Sequence, residues 1–246
     1  MQDDRARKEL LITIIADLLD GIRHVAVGAS SPIPAAGAML LRARNAQAGK
    51  PPVRISILGS SRHNFFTNGG VELFDCAAQG RVDAFFLGGG QIDGAGNINL
   101  VGTGDYPRMD VRWPGSFGSA YLYHLVPRVI LFREEHSPRV LVPKVDFVSA
   151  AATTPDVKRR GGPHALLTNL ALFDFDRERG GFRLHSVHPG YTPEDVRDRT
   201  GFDYAAPEIV PPTPAPDRTT VELIRGRIRD ELAECYPEFA RSMIAA

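Results

Sequence analysis

Two stretches of this chain carry the residue types from which chemistry is built. The first is Gly88-Gly89-Gly90-Gln91-Ile92-Asp93, which follows directly on the apolar run Ala84-Phe85-Phe86-Leu87. Three glycines after a buried strand cost packing and backbone entropy, and they suit a place where the backbone turns sharply or lets another molecule come close. Asp93, just past that turn, has two readings: a functional carboxylate, or a local cap on nearby N–H groups. The second stretch is Gly59-Ser60-Ser61-Arg62-His63, at the end of the strand expected over 53–58. A Ser60–His63 pair has the composition of a nucleophile and its base, and the competing reading is that the serines simply serve the turn. No nucleophile elbow accompanies them.

Elements that would hold these residues in place are written in the apolar spacing. Leu10, Leu11, Ile14, Ile15, Leu18 and Leu19 form a helical stripe over 7–19, with Gly21 as its C-terminal cap. A strand is expected over 23–27, a loop over 29–34 and a helix over 35–44. Pro51-Pro52 then breaks the chain before the strand 53–58. A helix over 71–78 and a strand over 82–87 lead into the glycine turn. Further strands are expected over 128–132 and 145–148, and a β-pair over 166–173 and 182–186 around Arg179-Gly180-Gly181. Thr192, Pro193, Glu194 and Asp195 spell a helix start. The Pro-rich stretch 206–217 reads as an extended connector, and 219–234 as a closing amphipathic helix. Strands alternating with helices indicate an α/β fold with an open, largely parallel sheet, in which ligands bind beyond the carboxyl ends of the strands. The strand ends at Gly28, Gly59 and Gly88 are therefore expected to face one crevice.

With 246 residues, the chain is expected to form a single domain over 1–246. Lys+Arg and Asp+Glu are equal at 29 each, which argues against a nucleic-acid partner. Lys158-Arg159-Arg160 is read as a solvated basic loop, with electrostatic phosphate binding as the alternative. Cys76 and Cys235 match no metal or redox spacing and read as two reduced thiols. His185 and His188 stand three apart without further ligand spacing, so no metal is expected. The N-terminus has no apolar core long enough for a signal peptide or membrane span, and a cytoplasmic location is expected.

The series Gly88-Gly89-Gly90-Gln91-Ile92-Asp93 with Gly96-Asn97 resembles the Gly-Gly-Ala-Gln-Ile-Asp…Gly-Asn signature of family I CoA-transferases, above all the β subunit of glutaconate CoA-transferase. Gly104-Asp105-Tyr106, Pro114-Gly115-Ser116-Phe117-Gly118-Ser119, Lys144-Val145-Asp146-Phe147-Val148-Ser149, Pro193-Glu194-Asp195-Val196 and Thr200-Gly201-Phe202-Asp203 extend the resemblance from about Lys8 to Leu232. It implies an acyl-CoA thioester as substrate and no bound cofactor. It also implies an α-type partner subunit, in a heterodimer or a tetramer of two α-type and two β-type chains. On the same footing, Gly89, Gly90 and Gly118 would lie near the thioester through their backbones, with Gly115 in the same turn. Gln91, Ser116 and Asp93 would contribute side chains. The resemblance further implies a glutamate nucleophile at the end of the strand 53–58, where this chain has Leu58 and Gly59. The nearest downstream carboxylates, Glu72 and Asp75, are expected to face solvent. The steroid ring-opening hydrolases of the same superfamily also lack that glutamate, so a hydrolase is the alternative activity. A non-catalytic subunit that completes its partner's pocket is the third reading.

Overall fold

The apolar stripe near the N-terminus does form the first helix, α1 (Asp4–Leu18), which buries Leu10, Leu11, Ile14 and Ile15. The computed structural model describes residues 4–154 and 156–243; Met1, Gln2 and Asp3 lie outside them. The chain gathers into two compact units, one of residues up to Phe86 together with those from Ala215 onward, the other Leu87–Pro214.

In the first unit, β1 (His24–Val27) is followed by α2 (Pro32–Gln47), β2 (Arg54–Ile57), α3 (Gly69–Ala78) and β3 (Ala84–Leu87). β1 lies between β2 and β3, parallel to both. Every residue of β1 and β3 is buried, the unbroken pattern expected of strands covered on both faces. α2 starts earlier than its expected start at Ala35. Ser31 is its N-cap and Pro32 takes the first turn, where the missing N–H costs nothing. α1 and α2 cross closely, because a Cβ on Gly37 would stand 2.3 Å from Cγ2 of Ile15.

The second unit opens with two short antiparallel ribbons. β4 (Gln91–Ile92) pairs with β5 (Ile98–Asn99), and β6 (Gly102–Thr103) with β7 (Val111–Arg112). After α4 (Ser119–Leu125) come β8 (Arg128–Phe132) and its parallel neighbour β9 (Pro163–Leu167). β10 (Ala171–Asp176) and β11 (Gly181–Val187) continue the sheet antiparallel, and α5 (Pro193–Arg199) follows. Two expectations are corrected here. The run 166–173 is two strands, because Thr168 Oγ1 accepts from the Leu170 and Ala171 N–H groups and closes a turn. The segment 145–148 is no strand; its backbone hydrogen bonds go to side chains, as described below. Thr192 caps α5 in a reciprocal box with Asp195, as its spelling indicates.

Back in the first unit, the closing helix runs as α6 (Arg218–Leu223), a π-helical turn (Ile224–Ile228) and α7 (Arg229–Leu232), and α8 (Pro237–Ser242) follows. Asp217, not Thr219, begins it by accepting from Thr220 N at 2.7 Å. Strands run mostly parallel with helices between them, a mixed α/β fold. No helix among the described residues is long and apolar enough to cross a membrane.

Candidate active site

In the second unit the glycine turn is fixed by sterics. A Cβ on Gly90 would stand 2.2 Å from the Trp113 ring, and one on Gly89 would stand 2.5 Å from Gln91 O. No side chain fits at either position. The Gly90 N–H donates to Asn99 O at 2.8 Å, so it is not available to a ligand oxygen.

The polar residues around the turn hold one another. Gln91 Oε1 accepts from Asn99 Nδ2 at 2.8 Å and from Asp146 N at 3.0 Å. Asn99 Oδ1 accepts from Val101 N at 2.9 Å. Asp93 accepts from Ala95 N at 3.1 Å, Asn97 N at 3.0 Å and Asn97 Nδ2 at 3.1 Å. Asp146 Oδ2 takes the Gly104 N–H at 2.9 Å. Two parts of the chain distant in sequence, 91–104 and 145–146, are thus tied into one scaffold in which the buried Gln91, Asp93 and Asn99 find partners. This explains why 145–148 does not extend as a strand: the Asp146 N–H goes to the Gln91 side chain, and Val145 N lies 3.5 Å from Asp93 Oδ2. Asn99 and Asp146 are the members that sequence reading missed as site residues. Asp146 lies inside the motif Lys144–Ser149, which is its signal, whereas Asn99 lies two residues past Asn97 and outside every motif.

Beside Asp93 a cleft of about 460 Å³ is lined by Gly94, Lys144, Gly201, Phe202 and Asp203. The glycine, lysine and Thr-Gly-Phe-Asp segments therefore meet around one concavity. The loop ahead of α4 carries Gly115, whose Cβ would come within 3.0 Å of Leu100 O. Gly118 caps α4 at φ 67, the left-handed region that suits glycine, whereas Ser116 adopts φ 99 without that excuse. Such strain costs roughly 1–3 kcal/mol and collects at functional sites. Between them Phe117 stands 86% exposed.

Arg159 of the basic run is not solvated. Its guanidinium donates to Tyr123 O and Ala151 O, both at 2.7 Å, and burial lowers its pKa. It ties the last turn of α4 to the chain at Ala151.

In the first unit the ends of β1 and β2 are covered by the C-terminal segment. Ser60 Oγ donates to Glu234 Oε2 at 2.7 Å, and Ser61 N and Oγ donate to Oε1, each at 2.7 Å. Burial opposes charge on Glu234, but the Ser61 and Ser60 hydroxyls and the Ser61 and Arg62 N–H groups outweigh it and hold the carboxyl down at about 2. Tyr236 OH donates to Gly28 O at 3.2 Å. Ser60 Oγ also accepts from the backbone N of His63 at 2.9 Å, while the His63 ring turns to Glu231, its Nε2 3.0 Å from Oε1. Arg42 holds the same Glu231 oxygen. Ser60 and His63 therefore meet through the backbone N–H of His63, not through its ring. Of the two upstream carboxylates, Asp75 is exposed, and Glu72 accepts from Thr67 N, Thr67 Oγ1 and Asn68 N at the start of α3. Glu234 carries no local sequence signal, since it lies 174 residues from Ser60.

That clamp has a measurable weight. Replacing Glu234 with Gln removes the charge and sets an NH2 against at least one of the three donors. A loss of about 2 kcal/mol in unfolding free energy at pH 7 is expected, by urea titration. With a folded pKa below the ordinary carboxylate value, the wild-type contribution is complete above about pH 4.3 and disappears as pH falls toward 2. An unchanged urea midpoint in Glu234→Gln would show the clamp to be ornamental.

Comparison with known proteins decides the family. The family model described as Coenzyme A transferase matches residues 53–199, more than half of the chain. The chain belongs to the coenzyme A transferase family. It is 31% identical over 151 residues to the β subunit of glutaconate CoA-transferase from Acidaminococcus fermentans, a match covering 58% of this chain and 56% of that one. It is also 31% identical over 164 residues to the cholesterol ring-cleaving hydrolase IpdB subunit of Mycobacterium bovis, covering 64% of each chain. Both matches span less than two thirds of the relative's length. Among solved structures, a variant of the decarboxylase AibA/AibB superposes with a TM-score of 0.74 at 26% identity, covering 89% of this chain and 93% of that one. The matched region contains both the Gly59–His63 turn and the glycine network.

Proposed function

We propose that this chain is the β-type subunit of a heteromeric, cytoplasmic enzyme that acts on an acyl-CoA thioester with an α-type partner, in a heterodimer or a tetramer of two of each. The CoA thioester is its substrate, and it needs no bound cofactor. Family membership supports the thioester class. The interlocked glycine turn supports the place, with the Gly89 and Gly118 backbones as donors to the thioester oxygen and Ser116, Gly115 and Gly90 shaping the pocket wall. Gln91, its Oε1 held by Asn99 and Asp146, offers its Nε2; Asp93 keeps the turn in shape. Preorganised donors of this kind need no rearrangement as charge develops on the oxygen.

The end of β2 carries the choice of chemistry. Where the resemblance implies a glutamate there stand Leu58 and Gly59. The carboxylate that reaches the turn, Glu234, is held at about pKa 2 by its hydrogen bonds, which makes it a weak nucleophile. This favours a reaction without a glutamyl-CoA intermediate on this chain, of the hydrolytic carbon–carbon-cleaving kind, with the acid/base group on the partner. Similarity to a glutaconate CoA-transferase subunit supports the transferase as the second reading.

Trapping separates the two. The complex is incubated with acyl-CoA and then with borohydride or hydroxylamine. The expected outcome is release of free acid with no acceptor requirement and no modified carboxylate on this chain by peptide mass mapping. A trapped adduct at a mapped glutamate establishes the transferase instead. Full turnover by the partner alone makes this chain a binding subunit.

A further inference from the structure

We propose that the amino-terminal edge of the β2–β1–β3 sheet binds a phosphorylated nucleoside. A cleft of about 420 Å³ opens there, lined by Arg23, His24, Arg54, Phe65, Glu72 and Arg81 among others. His24 and Arg54 are the first residues of β1 and β2, so within this unit the cleft lies at the opposite end of the strands from Gly28 and Gly59. It is separate from the turn that Glu234 closes.

Three guanidinium groups face one carboxylate across this cleft. Arg23 is neutralised by Asp83, its Nη2 2.7 Å from Oδ1. Glu72 spends its carboxylate on Thr67 N, Thr67 Oγ1 and Asn68 N, at 2.6, 2.8 and 3.2 Å. Arg54 and Arg81 have no carboxylate within ion-pair distance among the described residues, and both are exposed. Two forked cations at one opening, with the Arg54 charge felt by Glu72 but not paired to it, outnumber that carboxylate and match a phosphate group, which guanidinium binds bidentately. The nucleoside part follows from the wall. Phe65 is 46% exposed and the Arg54 guanidinium lies 5.0 Å from its ring centroid, an exposed aromatic–guanidinium pair against which a planar base can stack. The floor is neutral. Burial lowers the His24 pKa, and its ring nitrogens are engaged by Arg81 O at 2.8 Å and Ser56 Oγ at 2.9 Å. A free nucleotide and the nucleotide end of CoA share this chemistry.

Calorimetric titration of the purified protein with ADP, inorganic phosphate and CoA at low salt tests the proposal. ADP is expected to bind, and Arg54→Ala and Arg81→Ala each to weaken it at least tenfold. Phe65→Ala is expected to weaken ADP while leaving inorganic phosphate unchanged. Both arginines are exposed and outside any ion pair among the described residues, and a melting curve on each variant, with Arg54→Lys as the milder change, checks that the fold is intact. If the Arg54→Ala variant loses CoA in parallel with ADP, the nucleotide end of CoA is the natural occupant. If it loses ADP alone, a free nucleotide is. Absence of ADP binding, or ADP binding unaltered in both arginine variants, overturns the site. Equal affinity for phosphate and ADP, with no effect of Phe65→Ala, overturns the nucleoside.

Discussion

Gly90→Ala is expected to cost both activity and stability, although it adds a single methyl group. The added Cβ falls 2.2 Å from Trp113 Cζ3 and 2.3 Å from Cη2, closer than atoms can stand. Either the indole swings away or the turn shifts. Trp113 immediately precedes the loop carrying Gly115, Ser116 and Gly118, and the turn is anchored by the Gly90 N–H on Asn99 O, so either movement is expected to spread into the proposed thioester wall. Overpacking of this kind costs about 1–3 kcal/mol. For a chain of this size that corresponds to a fall of about 4–8 °C in Tm for the middle of the range. A displacement near 1 Å in positioning groups can cost about a hundredfold in rate. Trp113 is the sole tryptophan of the chain, so its emission reports the swing directly. A shifted emission maximum is expected in Gly90→Ala. Trimming the indole in Gly90→Ala/Trp113→Leu is expected to restore part of the stability, a non-additivity that only a direct clash produces. Unaltered emission and Tm in the single variant would remove Trp113 as the reason for the glycine.

That result bears on how the glycine turn is to be understood. From the sequence, three glycines after a strand imply close approach by another molecule. In the fold the close approach at Gly90 is made by the chain itself, through Trp113, and at Gly89 by the turn's own carbonyl. A local pattern shows that a side chain is forbidden; it does not show which atoms forbid it, because Trp113 is brought there by tertiary packing. The same holds for Asp93, whose two readings differ only in where its oxygens point, and they point to Ala95 and Asn97.

Elements governed by neighbours in the sequence were legible. α1 follows its three-and-four stripe, β1 and β3 their apolar runs, and α5 its Thr192 cap. Elements governed by distant partners were not. Residues 145–148 have strand composition, yet Gln91 captures their backbone from 55 residues away. Covering of the Gly59 turn by Glu234 is longer-range still, and no spacing rule reaches it. Arg159 sits in a run whose composition says solvent, but the carbonyls of Tyr123 and Ala151 draw it inward. The glycine motif and the Lys144–Ser149 motif survive this test because Gln91, Asp93, Asn97 and Asp146 are held in one network. They are legible as a set even where each alone is ambiguous.

The second unit is expected to lose stability steeply between pH 6.5 and pH 4, through two histidines that no functional motif contains. His136 is held by Thr168 Oγ1 at 2.7 Å and Thr200 Oγ1 at 2.9 Å, and His188 by Thr213 Oγ1 at 2.8 Å and Thr168 O at 3.0 Å. Both are buried, at 5% and 1% exposure, where a charged ring is unfavourable. Burial, reinforced for His136 by the Arg199 charge, lowers its pKa to about 4. Burial lowers His188 to about 4 as well, against the opposing pull of Thr168 O. In the unfolded chain both titrate near pH 6.5. Above that pH neither state binds the protons and stability is complete. Between 6.5 and 4 the unfolded state takes them up and the folded state does not, so stability falls with falling pH, and below 4 no more is lost on this account. Each histidine contributes about 3 kcal/mol to that fall, an upper figure because the two share Thr168 and protonate together less readily than apart. Urea titrations from pH 7.5 to 4.5 are expected to show the decline, and His188→Asn to flatten its slope relative to wild type after allowance for its lower starting stability. A slope that His188→Asn leaves unchanged would mean that the carboxylates, not the histidine pair, set the acid limit of this fold.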